Sequence, residues 1–370
     1  MSKVIYLDNA STTPVYKEVA EEMKKYLISE YGNPSSSHLM GEKAQKVIEN
    51  TKKVIASEIN ARPWEIIFTS CATESNNLAL QGLSKANPTK KKIIISSIEH
   101  SSIYELCKEM QNLGYKIVEI PVNKEGIIDF NSLEEEIDSD TLVVSIMHAN
   151  NEVGSIQDIA RIGSLCRQKN VLFHTDGVQS FCKEKIDVNS MKIDLLSGSG
   201  HKIGASKGIG FLYIREEIKI KPIMIGGGQE KGLRPGTQNV PAIAGFAKAV
   251  QITNKIDKSK IKAIRDYFIS ELNKIDGKLN GSIEKRVCNN INFSFKIGNA
   301  EDIVIALSEK GIMCSTKSAC LNKEHKENRV LKALGISKKE IDSSIRFSIN
   351  ETTTKKGIDY VIKELKKLIK

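Results

Sequence analysis

The chain has 370 residues, 40% hydrophobic and 27% charged, with 55 Lys and Arg against 45 Asp and Glu. That length predicts a large core domain with a smaller one beside it, and the composition is that of a soluble globular protein. No apolar run approaches the roughly twenty residues of a membrane span, and "MSKVIYLDNASTTPV" lacks a signal-peptide core, so a cytoplasmic protein with no membrane partner is expected. Seven scattered cysteines argue against a disulfide scaffold. The net charge of +10 comes from dispersed lysines without interleaved aromatics, so direct nucleic-acid binding is not expected.

From about Trp64 to Ile214, short β-branched runs alternate with polar loops and amphipathic stretches. "EIIFTS", "KKIIISS", "KIVEIPV", "TLVVSIMH", "VLFHTDG", "DLLSGS" and "GFLYI" predict seven strands, with helices such as "ESNNLALQGLSKA" and "IARIGSLCRQKN" between them. This pattern predicts an α/β domain, residues 13–255, whose seven-stranded, mostly parallel sheet is covered by helices. After Thr237, "KAVQITNKIDKSKIKAIRDYFISELNKI" reads as one long helical connection. "NNINFSF", "EDIVIALSEKG", "SSIRFSI" and a last amphipathic helix predict a small α+β domain, made of residues 1–12 and 256–370 and carrying Cys320.

Ligands of such sheets bind outside the carboxyl ends of the strands. The strand ends lead to Cys71, Ala72 and Thr73, to His100, to Asn151, to Asp176, and to His201 and Lys202. Asp176 and Lys202 lie 26 residues apart, one crossover unit, and an aspartate with a lysine is the pair that pyridoxal phosphate requires. The lysine would hold the cofactor's aldehyde carbon, and the aspartate would keep its ring nitrogen protonated.

Several residues admit two roles. Thr73 fits either a helix N-cap or an anion site at a helix N-terminus, which Ser199 and His201 would complete. His100 fits a structural histidine or a ring stacked on the cofactor. Cys320, among Lys, Ser and Asn, is the more reactive candidate thiol, while Cys314 continues an apolar run and reads as buried. Arg346 in "SSIRFSI" fits a buried ion pair or the fork that grips a substrate carboxylate.

In this order, "YLDNASTTPV", "YGNPSSSH", "IIFTSCATESNNLAL", "EHSSI", "SIMHANNEVGSIQDI", "FHTDGVQS", "SGSGHK", "KGIGFLYIR", "GGGQEKGLRPGTQN", "SAC" and "SSIRFSI" resemble the cysteine desulfurases of the class V aminotransferase group, long-loop type. The resemblance implies a pyridoxal-phosphate enzyme that converts L-cysteine to L-alanine. In that role Lys202 carries the cofactor, Asp176 pairs with its nitrogen, His100 stacks and moves protons, and Gln179 bonds its phenolic oxygen. Ala72, Thr73, Ser199 and His201 surround the phosphate, with Thr237 reaching in from a second copy. Asn33, Asn151 and Arg346 hold the substrate, and Cys320 is the nucleophile that becomes a persulfide.

The resemblance also implies a homodimer and a sulfur-acceptor protein, either an iron-sulfur scaffold or a tRNA sulfurtransferase. It implies no resident metal, with Cys320 open to sharing an iron-sulfur cluster with a scaffold partner. Lys317 before "SAC", Leu321 after it, "NKEHKEN", Gly177, Pro235 and the Gly204 to Ser206 "GAS" depart from the family pattern. A selenocysteine lyase or an aminotransferase on the same fold is the rival activity; a non-catalytic carrier would not need Lys202, Asp176 and His100 together.

Overall fold

The computed structural model describes residues 4–296, 298–316 and 328–369. The chain opens with β1 (Ile5–Tyr6), α1 (Lys17–Ile28) and α2 (Leu39–Glu58). Then follow β2 (Ile66–Thr69), α3 (Ala72–Ala86), β3 (Lys92–Ser96), α4 (Ser101–Asn112), β4 (Lys116–Ile120), α5 (Phe130–Glu136), β5 (Thr141–Ser145), α6 (Ile159–Gln168), β6 (Leu172–Asp176), β7 (Leu195–Ser199) and β8 (Gly210–Ile214). The remainder holds α7 (Val240–Asn254), α8 (Lys258–Asn273), β9 (Lys278–Leu279), β10 (Asn290–Ser294), α9 (Ala300–Glu309), β11 (Ile312–Met313), α10 (Arg329–Ala333), α11 (Lys338–Asp342), β12 (Ser344–Ser348) and α12 (Lys355–Leu368).

All seven strands expected from the β-branched runs enter one sheet, in the order β2-β8-β7-β6-β5-β3-β4. Every residue of β2, β3, β5, β7 and β8 is buried, because helices cover both faces; this is why the runs read as continuously apolar. Strand β8 runs antiparallel to both β2 and β7, and the other pairings are parallel. The carboxyl ends of β2, β3, β5, β6 and β7 therefore lie along one edge.

One face packs Ile48 and Ile55 of α2 and Phe246 of α7 against Phe173 and Phe211. The other packs Leu78 and Leu83 of α3 and Ile103 and Leu106 of α4 against Ile93, Ile95 and Leu212. A separate cluster gathers Leu7 with Phe268, Phe293, Phe347 and Ile358, around the antiparallel sheet β12-β10-β9. Strand β1 pairs in parallel with β11, so the start of the chain is built into this second cluster. Val330, Leu331 and Leu334 of the α10 region pack on Ile98, Met147 and Val153, joining the two bodies beside the strand edge.

The long helical connection is instead two helices. Asp257, in extended backbone (φ −73°, ψ 99°), accepts from Ser259 N at 3.0 Å and so starts α8 as a separate helix, three residues after α7 ends. Among the described residues, no helix is long and apolar enough to cross a membrane.

The "GAS" turn after Lys202 has a steric cause. Gly204 is left-handed (φ +84°), and a Cβ there would lie 2.1 Å from the Tyr16 ring. Gly208 has the same φ with open space around it. Gly204→Ala should therefore lose about 3 kcal/mol of stability, from backbone strain plus overpacking. Gly208→Ala should lose only about 1 kcal/mol. Urea unfolding of the two variants checks this, and equal losses would remove the Tyr16 contact from the explanation.

Candidate active site

A cavity of about 200 Å³ opens at the shared strand edge. Ala72 and Thr73 reach it from the turn after β2, His100 from beyond β3, Asn151 from beyond β5, and Asp176 with Gln179 from the end of β6. Ser199, His201 and Lys202 reach it from β7, and Arg346 enters from β12. Thr237 and Asn33 are exposed and are not part of this lining; the Asn33 side chain accepts from Ser35 N at 2.9 Å. Cys320 lies outside the described residues.

The start of α3 answers the question about Thr73. Cys71 is the N-cap, in extended backbone (φ −171°, ψ 170°) and with no side-chain cap bond, so Thr73 lies inside the helix and is not its cap. The first N–H groups of α3 thus face the cavity end of the helix without a side-chain acceptor, which suits an anion. Ser199 Oγ, buried in the same lining, has no hydrogen-bond partner among the described residues. His201 stays neutral, pushed down to about 4 by burial and by the cations Lys202, Lys207 and Lys183.

Asp176 accepts from Asn76 Nδ2 and from Val178 N, each at 3.0 Å. Asn76 Nδ2 also donates to Ser102 Oγ at 2.8 Å. Ser102 then donates to His100 Nδ1 through its backbone N–H (3.2 Å) and its hydroxyl (2.9 Å). With Nδ1 accepting, the His100 proton resides on Nε2. Burial holds the His100 pKa below its ordinary value; the Asp176 carboxylate opposes this, while the Lys202 and Arg329 cations add to it.

Lys202 Nζ donates to the carbonyls of Ala10 and Ser11 at 2.6 Å each, and Gln179 Nε2 donates to the same Ala10 carbonyl at 3.0 Å. Arg346, 2% exposed, makes the buried ion pair that its apolar run suggested. Its Nη2 pairs with Asp8 Oδ1 at 2.8 Å and Ser11 Oγ at 2.6 Å, and its Nη1 donates to the Asn151 carbonyl at 3.2 Å. Its Nε is buried without an acceptor among the described residues, a donor suited to a carboxylate in the cavity.

The structure adds Asp8, Ser11, Asn76, Ser102 and Glu99 to the site. Asp8 and Ser11 stand in "YLDNASTTPV", Glu99 and Ser102 in "EHSSI" and Asn76 in "IIFTSCATESNNLAL", but nothing local marks which side chains of these motifs reach the site. Among the other histidines, His174 bonds Ser145 and Ser197 in the core, and His38 caps α2.

A lysine for an aldehyde, a buried carboxylate for a pyridine nitrogen, and a helix N-terminus beside an unpartnered hydroxyl for a phosphate fit pyridoxal phosphate as a set. The fold and this site define a pyridoxal-phosphate-dependent enzyme. The chain belongs to the class-V aminotransferase family, whose profile matches residues 5–361, and within it to the cysteine desulfurases. It is 41% identical to the cysteine desulfurase IscS of Dictyoglomus turgidum, over 100% of this chain and 95% of that protein. It is 40% identical to the cysteine desulfurase IscS of Methanosarcina thermophila, over 100% and 92%. Among solved structures, a NifS-like protein superposes with a TM-score of 0.93 at 34% identity, covering 99% of each chain. SspA in complex with cysteine superposes with a TM-score of 0.86 at 35% identity, covering 95% of this chain and 100% of that one.

Glu99, 1% exposed, accepts from Ser96 Oγ at 2.5 Å and Met147 N at 2.9 Å. Burial raises its carboxyl from the ordinary 4.5 to about 8, against those hydrogen bonds and with Asp176 adding to the rise. Between these two values the folded chain binds a proton that the unfolded chain has released, so stability falls as pH rises through the window. Glu99→Gln, neutral throughout, should flatten that decline in urea unfolding measured between pH 5 and pH 8; an unchanged slope would assign the proton elsewhere.

Proposed function

We propose that the chain removes sulfur from L-cysteine, releasing L-alanine and passing the sulfur through a Cys320 persulfide to an acceptor protein. The observation that carries this reading is the meeting of Lys202, Asp176, His100 and Arg346 in one cavity. Pyridoxal phosphate, when bound, supplies an electron sink that makes negative charge at the substrate α-carbon tolerable. Arg346 and Asn151 orient the substrate carboxylate, and burial around Arg346 excludes competing water. Lys202, whose side chain lines the cavity, would take up the α-proton, and His100, with its proton on Nε2, would serve the further proton transfers. Cys320 thiolate attacks the substrate sulfur: an S–S bond forms, the carbon–sulfur bond breaks, and the bonding pair returns to the carbon that becomes the alanine methyl.

Two copies act together in this reading. Thr237 is exposed and outside the cavity of its own chain, as a residue serving a neighbour's phosphate would be. Leu27, Ile28, Tyr31, Leu39, Trp64 and Ile225 are large apolar side chains left at the surface, the material of an interface. The acceptor is an iron-sulfur scaffold or a tRNA sulfurtransferase, and the enzyme works in the cytoplasm, where its thiols stay reduced.

Cys320→Ala should reduce alanine and persulfide formation from L-cysteine to background while the protein keeps the visible absorbance of bound cofactor. Full turnover in that variant would replace this mechanism with one that needs no thiol. Thr237→Ala should release the cofactor about ten- to a hundredfold faster, the loss of one charge-assisted hydrogen bond, and sedimentation should still show a dimer. Unchanged retention would remove Thr237 from the neighbour's site.

A further inference from the structure

The segment that carries Thr237, residues 226–239, has no regular structure beyond the single 3-10 turn Gln229–Gly232. Three consecutive residues within it are left-handed: Glu230 (φ 46°), Lys231 (φ 59°) and Gly232 (φ 73°). Two of them carry side chains, for which this conformation is sterically disfavoured. Such a backbone persists only where its surroundings enforce it.

The enforcing group is the Glu230 carboxylate, on a residue 5% exposed. It accepts from Lys52 Nζ of α2 at 2.8 Å, from Phe68 N at 2.9 Å and from Gln238 Nε2 at 3.4 Å. Phe68 belongs to β2, the edge of the seven-stranded sheet, so Glu230 takes the place of a missing neighbouring strand there. Further ties complete the shape. Lys231 Nζ donates to the Trp64 carbonyl at 2.7 Å, Arg234 Nε to Glu74 Oε1 at 3.0 Å, and Gly236 N to Gln229 Oε1 at 3.1 Å. The two limbs of the segment also pinch together, for a Cβ on Gly226 would sit 2.6 Å from the Pro235 Cβ. Thr237 follows directly, exposed and outside its own cavity lining.

We infer that Glu230 is the positioning residue that shapes residues 226–237 so that Thr237 reaches the cofactor phosphate of a second copy. This rests on the two-copy reading of Thr237 given above. A carboxylate is needed because its partners at Lys52, Phe68 and Gln238 all donate. An amide in its place turns a donor toward one of them.

The test compares holoenzymes of the wild type, Glu230→Gln, Thr237→Ala and the double variant. The readout is the rate of cofactor loss after dilution, followed by visible absorbance, with sedimentation reporting the dimer. Glu230→Gln is expected to lose cofactor about ten- to a hundredfold faster, as Thr237→Ala does, with the dimer retained, and the double variant should be no faster than either alone. Lys52→Met, which removes one partner of the carboxylate, should shift the rate in the same direction by a smaller factor and serves if Glu230→Gln does not fold. An effect of Thr237→Ala with none from Glu230→Gln or Lys52→Met overturns the positioning role alone. No effect of Thr237→Ala overturns the two-copy reading and this role with it. Additive rates in the double variant assign Glu230 a structural role separate from Thr237.

Discussion

One buried carboxylate organises the site. Asp176 ends β6 at the strand edge, and its hydrogen-bond donors are an amide and a backbone N–H, both uncharged. A carboxylate so placed in a poorly solvated setting favours a cation beside it, and a protonated pyridine nitrogen answers that need. The same charge disfavours a second one nearby, which contributes to keeping Glu99 protonated. Through Asn76 and Ser102 it also reaches His100, so the carboxylate and the imidazole tautomer belong to one hydrogen-bonded chain. His100 stays neutral because burial, Lys202 and Arg329 together outweigh the attraction of Asp176.

A second dependence runs through the beginning of the chain. The turn at Asp8 to Ser11 is held to β12 by Asn9 Nδ2 on the Ser348 carbonyl (2.7 Å) and by Ala10 N on Ser348 Oγ (2.8 Å). Its side chains fix Arg346, and its carbonyls receive Lys202 and Gln179. Residues more than 330 positions apart thereby meet in one turn. Arg346 and Lys202 therefore cannot shift independently.

Much of this was legible in the sequence, for identifiable reasons. Strands buried on both faces leave unbroken β-branched runs, and polar residues after such runs fall at the ligand-binding edge of the sheet, so Asp176, His100 and Lys202 stood out. Legibility ended where tertiary contacts decide. Asn76 looks like any polar residue in a helix, and Glu230 like any acid in a loop; only the fold places one against Asp176 and the other against Phe68 N. The single long helix expected after Thr237 overlooked the capping power of Asp257. The N-cap reading of Thr73 missed by two residues, because Cys71 already occupies that position.

Two further segments are tied in beside Arg346. Ser315 is paired backbone to backbone with Arg346, at 3.1 and 2.6 Å, and Asn328 caps α10 while donating to Glu152 Oε2 at 2.5 Å. Cys320 is five residues beyond the first of these anchors and eight before the second. Ser315 follows β11 and bridges to Arg346 of β12. Glu152 stands next to Asn151, whose carbonyl accepts from Arg346 Nη1, so the segments at Ser315 and at Asn328 both lead back to the same arginine.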